Sequence, residues 1–338
     1  MRDNRQWIER TLRHEDGLAV PYNFMFTPPA LRRAQEQYGQ DVVAAINLPI
    51  RTTGLVTTKP LYADPAQFGP TATDEFGVLW ATSQIDRGTP IGPPLTAPAL
   101  SGYVFPDPAR ECRFTQVGQW CRQQEGNFRI VWVGDLWERA TFMRGMENLL
   151  LDVTLETAFI EALLDGIAQY VLRTMEILFE RFGFEGVGVS DDYGTQKAMV
   201  MSPQAWRTLV KPRLGRIYGL AKRHGRTIFH HSCGNIVPII GDMIDLGLDI
   251  LHPIQPEAMD GAMLKREFGR SVTFCGGLST QGLLAGGTPQ QVRDEVRRLK
   301  REMGRGGGYI LEPGITIQAD VPKDNIVAMI EEARRTED

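Results

Sequence analysis

Cysteine is scarce: four residues in 338, at positions 112, 121, 233 and 275. So few exclude a disulfide-stapled scaffold, and each thiol is read singly, as packing or as chemistry. A basic surplus is also missing. Lys+Arg is 37 against Asp+Glu 41, a formal net charge of -4. That argues against nucleic acid as a partner and gives no attraction to an anionic membrane. No run approaches the roughly 18 consecutive apolar residues of a membrane span. The opening Met1-Arg-Asp-Asn-Arg-Gln-Trp-Ile has no apolar core of the signal-peptide kind, so a cytoplasmic location is expected.

What is present is ordinary for a globular chain: 42% hydrophobic and 23% charged residues. The 35 glycines suit many tight loops between short elements. The second half alternates β-rich apolar runs with helical patterns. Strands are expected at Phe184–Ser190, Thr227–His231, Asp249–His252, Val272–Cys275 and Gly308–Leu311. Helices are expected at Ser202–Arg223, Ile236–Leu246, Ala262–Phe268, Thr288–Met303 and Lys323–Arg335. Ser202-Pro203 is a cap followed by proline at the first helical position, and Gly247 is a stop signal. The first half adds strands at Phe128–Val133, Leu18–Met25 and Val42–Asn47. It also adds a helix at Pro29–Tyr38 and a long helical region over Glu138–Phe182.

Alternating strands and helices imply a parallel sheet with right-handed crossovers. Eight strands in a chain of this length fit an α/β (β/α)8 TIM barrel in one domain, 1–338. An open doubly wound sheet fits less well, because no Gly-x-Gly-x-x-Gly opens an early unit. The Pro-, Gly- and Thr-rich stretch 51–127 breaks the rhythm and reads as a long insertion after strand 2. Placed at the strand C-termini, it would serve as a cover or an oligomer contact.

Side chains at the strand C-termini of a barrel converge on one mouth. Here those ends carry Asp191-Asp192, His230-His231 with Cys233, then His252, Cys275 and Glu312. Imidazole and thiolate are preferred zinc donors, and a catalytic zinc needs three protein ligands with one position open. His231 and Cys233, two apart, point the same way on an extended chain. Cys275, Glu312 and His252 compete for the third place. Cys275 serves equally as a small buried packing residue, and His252, before a proline, as a loop hydrogen-bonder. Asp191 and Asp192 are candidates for metal ligation, general base work or loop capping, and alternation sends only one of them into the mouth. Tyr193 is a candidate hydrogen-bond donor to substrate. Cys112 and Cys121 have no nearby histidine and read as structural. Gly304–Gly308 precedes a strand and is a connector, not a phosphate cradle.

Several segments together resemble the uroporphyrinogen decarboxylase superfamily. They are Ser190-Asp-Asp-Tyr-Gly-Thr-Gln196, His231-Ser-Cys-Gly-Asn235, Asp249-Ile-Leu-His-Pro-Ile-Gln-Pro256, Phe274-Cys-Gly-Gly-Leu278 and Pro322-Lys-Asp-Asn-Ile326. Thr73–Trp80, Glu138-Arg-Ala140 and Arg144-Gly-Met-Glu147 extend the likeness from about residue 15 to the C-terminus. The resemblance implies a TIM barrel and two possible chemistries. Decarboxylases of that group carry Arg-x-x-x-Arg after the first strand to hold substrate carboxylates. Here that stretch is Asn23-Phe-Met-Phe-Thr-Pro-Pro29, with no arginine before Arg32. A polycarboxylate needs cationic clamps, which turns the expectation to the other branch, the corrinoid-linked methyltransferases.

Resemblance to that branch implies zinc on a His-x-Cys-Gly pair, matched by His231 and Cys233, and cobalamin on a partner corrinoid protein. It implies a small methoxyl or thiol substrate, O-demethylation or thiol methylation, and a homodimer. The branch's later cysteine has no counterpart, because Glu312-Pro-Gly-Ile-Thr316 puts Ile315 in its place. The expected site is therefore His231, Cys233, Cys275 and Glu312 around zinc, with Asp191, Asp192 and Tyr193 catalytic. Two other readings stand beside it: a lyase acting on a small carboxylic acid without corrinoid, and a non-catalytic ligand-binding barrel.

Overall fold

A computed structural model describes residues 3–336. Its strands in chain order are β1 (Ile50–Thr53), β2 (Thr71–Thr73), β3 (Leu79–Ala81), β4 (Thr89–Gly92), β5 (Phe128–Gly134), β6 (Gly186–Ser190), β7 (Thr227–His231), β8 (Ile250–Ile254), β9 (Thr273–Leu278) and β10 (Tyr309–Pro313). Seven of them form one all-parallel sheet in the order β1-β5-β6-β7-β8-β9-β10, curled into a TIM-barrel α/β fold. The eighth position is held by an irregular segment. Leu311 N donates to Pro21 O at 2.8 Å and Asn23 N to Leu311 O at 2.9 Å, and Tyr22 and Phe26 bridge in parallel to Leu311 and Ile317. The extended stretch expected at Leu18–Met25 thus lies beside β10 without forming a regular ladder.

One expected strand is a helix. Val42–Ala45 is a helical turn whose N-cap, Asp41, accepts from Ala44 N at 2.9 Å. The short apolar run Val42–Ile46 fits either state by pattern, and the cap decides it. The barrel strand follows at Ile50–Thr53, so Arg51 belongs to the sheet and the irregular region starts near residue 54. There β2, β3 and β4 make a small antiparallel sheet. Two expected helices are also subdivided. The region 138–182 breaks at Gly145 (φ +83°) and Glu156 into Trp137–Arg144, Met146–Leu155 and Thr157–Arg181. The helix over Ser202–Arg223 breaks at Val210, ahead of Pro212, whose nitrogen has no proton for the helix ladder.

Alternation along the strands builds the barrel interior. Ile50, Ile130, Phe229, Ile250, Cys275 and Ile310 pack as one buried cluster. Two residues further along their strands, above Phe229, Ile250 and Ile310, stand His231, His252 and Glu312. The apolar layer is the floor on which the polar groups are set.

Candidate active site at the barrel mouth

β7 and β8 run in register, with His231 paired to His252. Their rings meet edge to edge, Nδ1 to Nδ1 at 2.9 Å. Each ring then presents its Nε2 to a different set of donors. On one side, His231 Nε2 is 3.4 Å from Cys233 Sγ and 3.5 Å from Asp192 Oδ1. The spacing of two does put His231 and Cys233 on one side, and Asp192 is the acid that reaches them. On the other side, His252 Nε2 is 3.5 Å from Glu312 Oε1, and Cys275 Sγ donates to Glu312 Oε2 at 3.0 Å.

The four residues expected to share one metal therefore divide into two triads. Asp192, His231 and Cys233 are half-buried and face the mouth, whereas His252, Cys275 and Glu312 are fully buried. Within each triad all ligand atoms lie within 4.8 Å of one another. The division follows from position. Cys275 sits in the apolar floor layer and Glu312 on the neighbouring strand, with Cys275 paired to Ile310 in register. Cys233 instead lies beyond the end of β7, on the loop. Of the other two cysteines, Cys112 is exposed and Cys121 buried, and neither joins a triad.

Asp192 also accepts from Cys233 N at 2.8 Å, which ties the loops after β6 and β7 together. Those loops touch backbone to backbone at Gly194 and Gly234, with Gly234 at φ +81°. A half-open triad of carboxylate, imidazole and thiol is the donor set zinc accepts. Burial, and next the adjacent His252, push His231 down to about 4, so its imidazole is neutral near pH 7. Burial, with Asp192 and Glu138 nearby, pushes the Cys233 thiol well up.

Asp191 points the opposite way from Asp192, as alternation requires. It is fully buried, accepts from Glu138 N at 2.7 Å and takes the Tyr193 hydroxyl at 2.6 Å. Burial raises it to about 7, against the pull of those donors. Tyr193 is itself buried and its hydroxyl is committed to Asp191, so neither side chain is open to solvent at the mouth.

Two residues absent from the expected site belong to it. Glu138, at the start of the helix after β5, is raised to about 8 by burial, partly offset by Arg87 and reinforced by Asp192. Arg87, on the turn between β3 and β4, reaches across to Glu138 at 2.6 Å. Arg87 adds a positive charge beside Asp192 and Cys233. Glu138 stood within a family-like motif with no role attached. Arg87 had no local signal at all, because only the folding of the insertion brings it near. A separate recess of about 500 Å³, lined by Met199, Met201, Ser202, Asn235 and Pro238, opens beside the loops after β6 and β7.

The family model described as uroporphyrinogen decarboxylase (URO-D) matches residues 130–336. Uroporphyrinogen decarboxylase of Psychromonas ingrahamii is 26% identical over 256 residues, covering 69% of this chain and 68% of the relative. A solved methyltransferase from Methanosarcina mazei shares the fold, with a TM-score of 0.73 at 16% identity, covering 98% of both chains. No described helix is long and apolar enough to cross a membrane.

Proposed function

The chain belongs to the uroporphyrinogen decarboxylase family, and from that membership we propose a methyltransferase acting on a small methylated or thiol substrate, with a corrinoid protein as the other methyl carrier. One observation carries this reading: Asp192, His231 and Cys233 converge at the mouth, with Asp192 supplying the third donor that Ile315 leaves missing. The triad is the proposed zinc site. Bound zinc supplies Lewis acidity toward a thiol or an ether oxygen and lowers the cost of its negative charge.

The chain's own groups do the rest. Asp192 is held by the Cys233 amide, so it stays aimed at His231. Glu138, at about 8, is matched to the range in which a thiol gives up its proton, and accepts that proton as general base. Arg87 holds the Glu138 carboxylate and adds positive charge at the rim. Asp191 fixes the Glu138 backbone and, through Tyr193, the loop after β6.

The Psychromonas relative favours a second reading, decarboxylation of a carboxylic acid. Against a polycarboxylate stands the absence of arginine in 23–29. Purified protein is offered methylcobalamin with a thiol and, separately, uroporphyrinogen. Loss of the methyl-cobalt absorption with formation of the thioether supports methyl transfer. Release of CO₂ from uroporphyrinogen, with methylcobalamin untouched, overturns it.

A further inference from the structure

The inner triad has no part in the chemistry just described, yet it is built as a ligand set. His252, Cys275 and Glu312 are 1%, 0% and 2% exposed. A buried carboxylate, thiol and imidazole are an expensive combination to place on an apolar floor without a function. Asn23 Nδ2 donates to Glu312 Oε2 at 2.8 Å and fixes the carboxylate from behind. His252 Nε2 is buried and has no hydrogen-bond partner, although it faces Glu312 Oε1 across 3.5 Å. Zinc bonds of about 2.0–2.3 Å in a tetrahedron set neighbouring ligand atoms roughly 3.3–3.8 Å apart. The 3.0 Å and 3.5 Å separations here need only small adjustment.

We propose that His252, Cys275 and Glu312 form a second, buried site for a thiophilic divalent cation of the zinc class, and that the His231–His252 contact allows only one of the two triads to be filled at a time. The exclusion is a matter of proton count. A 2.9 Å Nδ1-to-Nδ1 contact needs one N–H and one lone pair. A neutral imidazole has a single N–H. The ring that donates at Nδ1 therefore has a bare Nε2, ready to ligate. The ring that accepts carries its proton at Nε2, where it faces a carboxylate: Asp192 for His231, Glu312 for His252. Filling one triad fixes the tautomer that disables the other. Each histidine then serves as the second-shell partner of its neighbour's metal. The placement of the outer site rests on the functional reading above; the inner site does not.

The test uses the full chain, zinc and cobalt(II), and no methyl substrate, so its failure is separable from failure of the functional reading. Wild type is expected to hold one ion per chain at saturation. Asp192→Asn/Cys233→Ala, which strips the outer triad but keeps both rings, is expected to hold one as well. Stripping both triads, with Cys275→Ser/Glu312→Gln added, is expected to leave none. Cys233→Ser alone is a milder variant, and it should keep a thiolate-to-cobalt absorption band that Cys233→Ser/Cys275→Ser lacks. A folded outer-stripped variant with no ion, or a Cys233→Ser protein with no thiolate band, removes the inner site. Two ions in wild type remove the exclusion.

Discussion

At the scale of single residues, the loop after β6 is held in part by a hydrogen bond between two fully buried groups. The Tyr193 hydroxyl holds the Asp191 carboxylate, and this bond favours the ionised acid. Tyr193→Phe removes it and should destabilise the protein by about 1–3 kcal/mol. The loss depends on pH with a definite sign. Burial raises Asp191 from the ordinary carboxylate range to about 7 in the folded state, so stability falls as pH rises through that interval and stays lower above it, and Tyr193 offsets part of that cost. Denaturant unfolding should show a larger loss at pH 8.5 than at pH 5.5; an equal loss would mean that Asp191 does not ionise in this range. The Arg87–Glu138 pair gives a second expectation. Burial raises Glu138, and with Arg87 pulling the other way the carboxyl stands at about 8. Arg87→Met should therefore move the alkaline-rising limb of kcat/KM to higher pH. A limb that stays in place would show that Glu138 is not the group titrating. His231 and Cys233 were legible from their spacing and residue type alone. Glu138 and Arg87 were not, because their meeting depends on how a long irregular segment folds.

At the scale of elements, the mouth is shaped by two loops that approach more closely than side chains allow. A Cβ on Gly234 would lie 2.3 Å from Gly194 C and 2.5 Å from Gly194 O, and Gly234 has φ +81°. Gly234→Ala thus meets both backbone strain and a collision. It should cost more than about 1 kcal/mol and part Cys233 from Asp192. Cobalt titration should show weakened outer-site binding in the variant; wild-type affinity would mean that the loops can separate without consequence. The stretch 42–47, expected as a strand, shows where element type escapes a sequence reading. Val-Val-Ala-Ala-Ile has too few residues for its period to speak, and Asp41 settles the matter by capping a helical turn. The actual strand, Ile50-Arg-Thr-Thr, has only one apolar residue and looked like the start of a loop.

At the scale of the whole molecule, the β-α rhythm of the second half was enough to give the barrel, since each parallel step requires a helical return. The eighth position was legible as an extended segment but not as a set of bridges to β10, which only tertiary pairing defines. The inserted segment is bound into the same hydrophobic cluster as the barrel helices. Phe76, Val78 and Trp80 pack in continuity with Trp137, Phe142 and Leu163. Asp74 ties that segment further, accepting from Trp80 Nε1 at 3.0 Å and from Arg139 at 2.8 Å. Calorimetry should therefore give a single transition for insertion and barrel together, and two resolved peaks would separate them. The division of the expected ligand set into two triads belongs to this scale as well. Strand ends in sequence order look like one ring of donors. The curled sheet, however, places Cys275 in the floor layer and Cys233 on the rim loop.

We propose the outer triad as the working site, and the most direct test is the rate of methyl transfer from methylcobalamin to a thiol by zinc-loaded wild type and zinc-loaded Cys233→Ala. On the proposed assignment, removing Cys233 should lower the rate at least about 100-fold, the scale of losing a group that stabilises developing charge. A Cys233→Ala enzyme that turns over at the wild-type rate would contradict the assignment and place the chemistry elsewhere in the barrel.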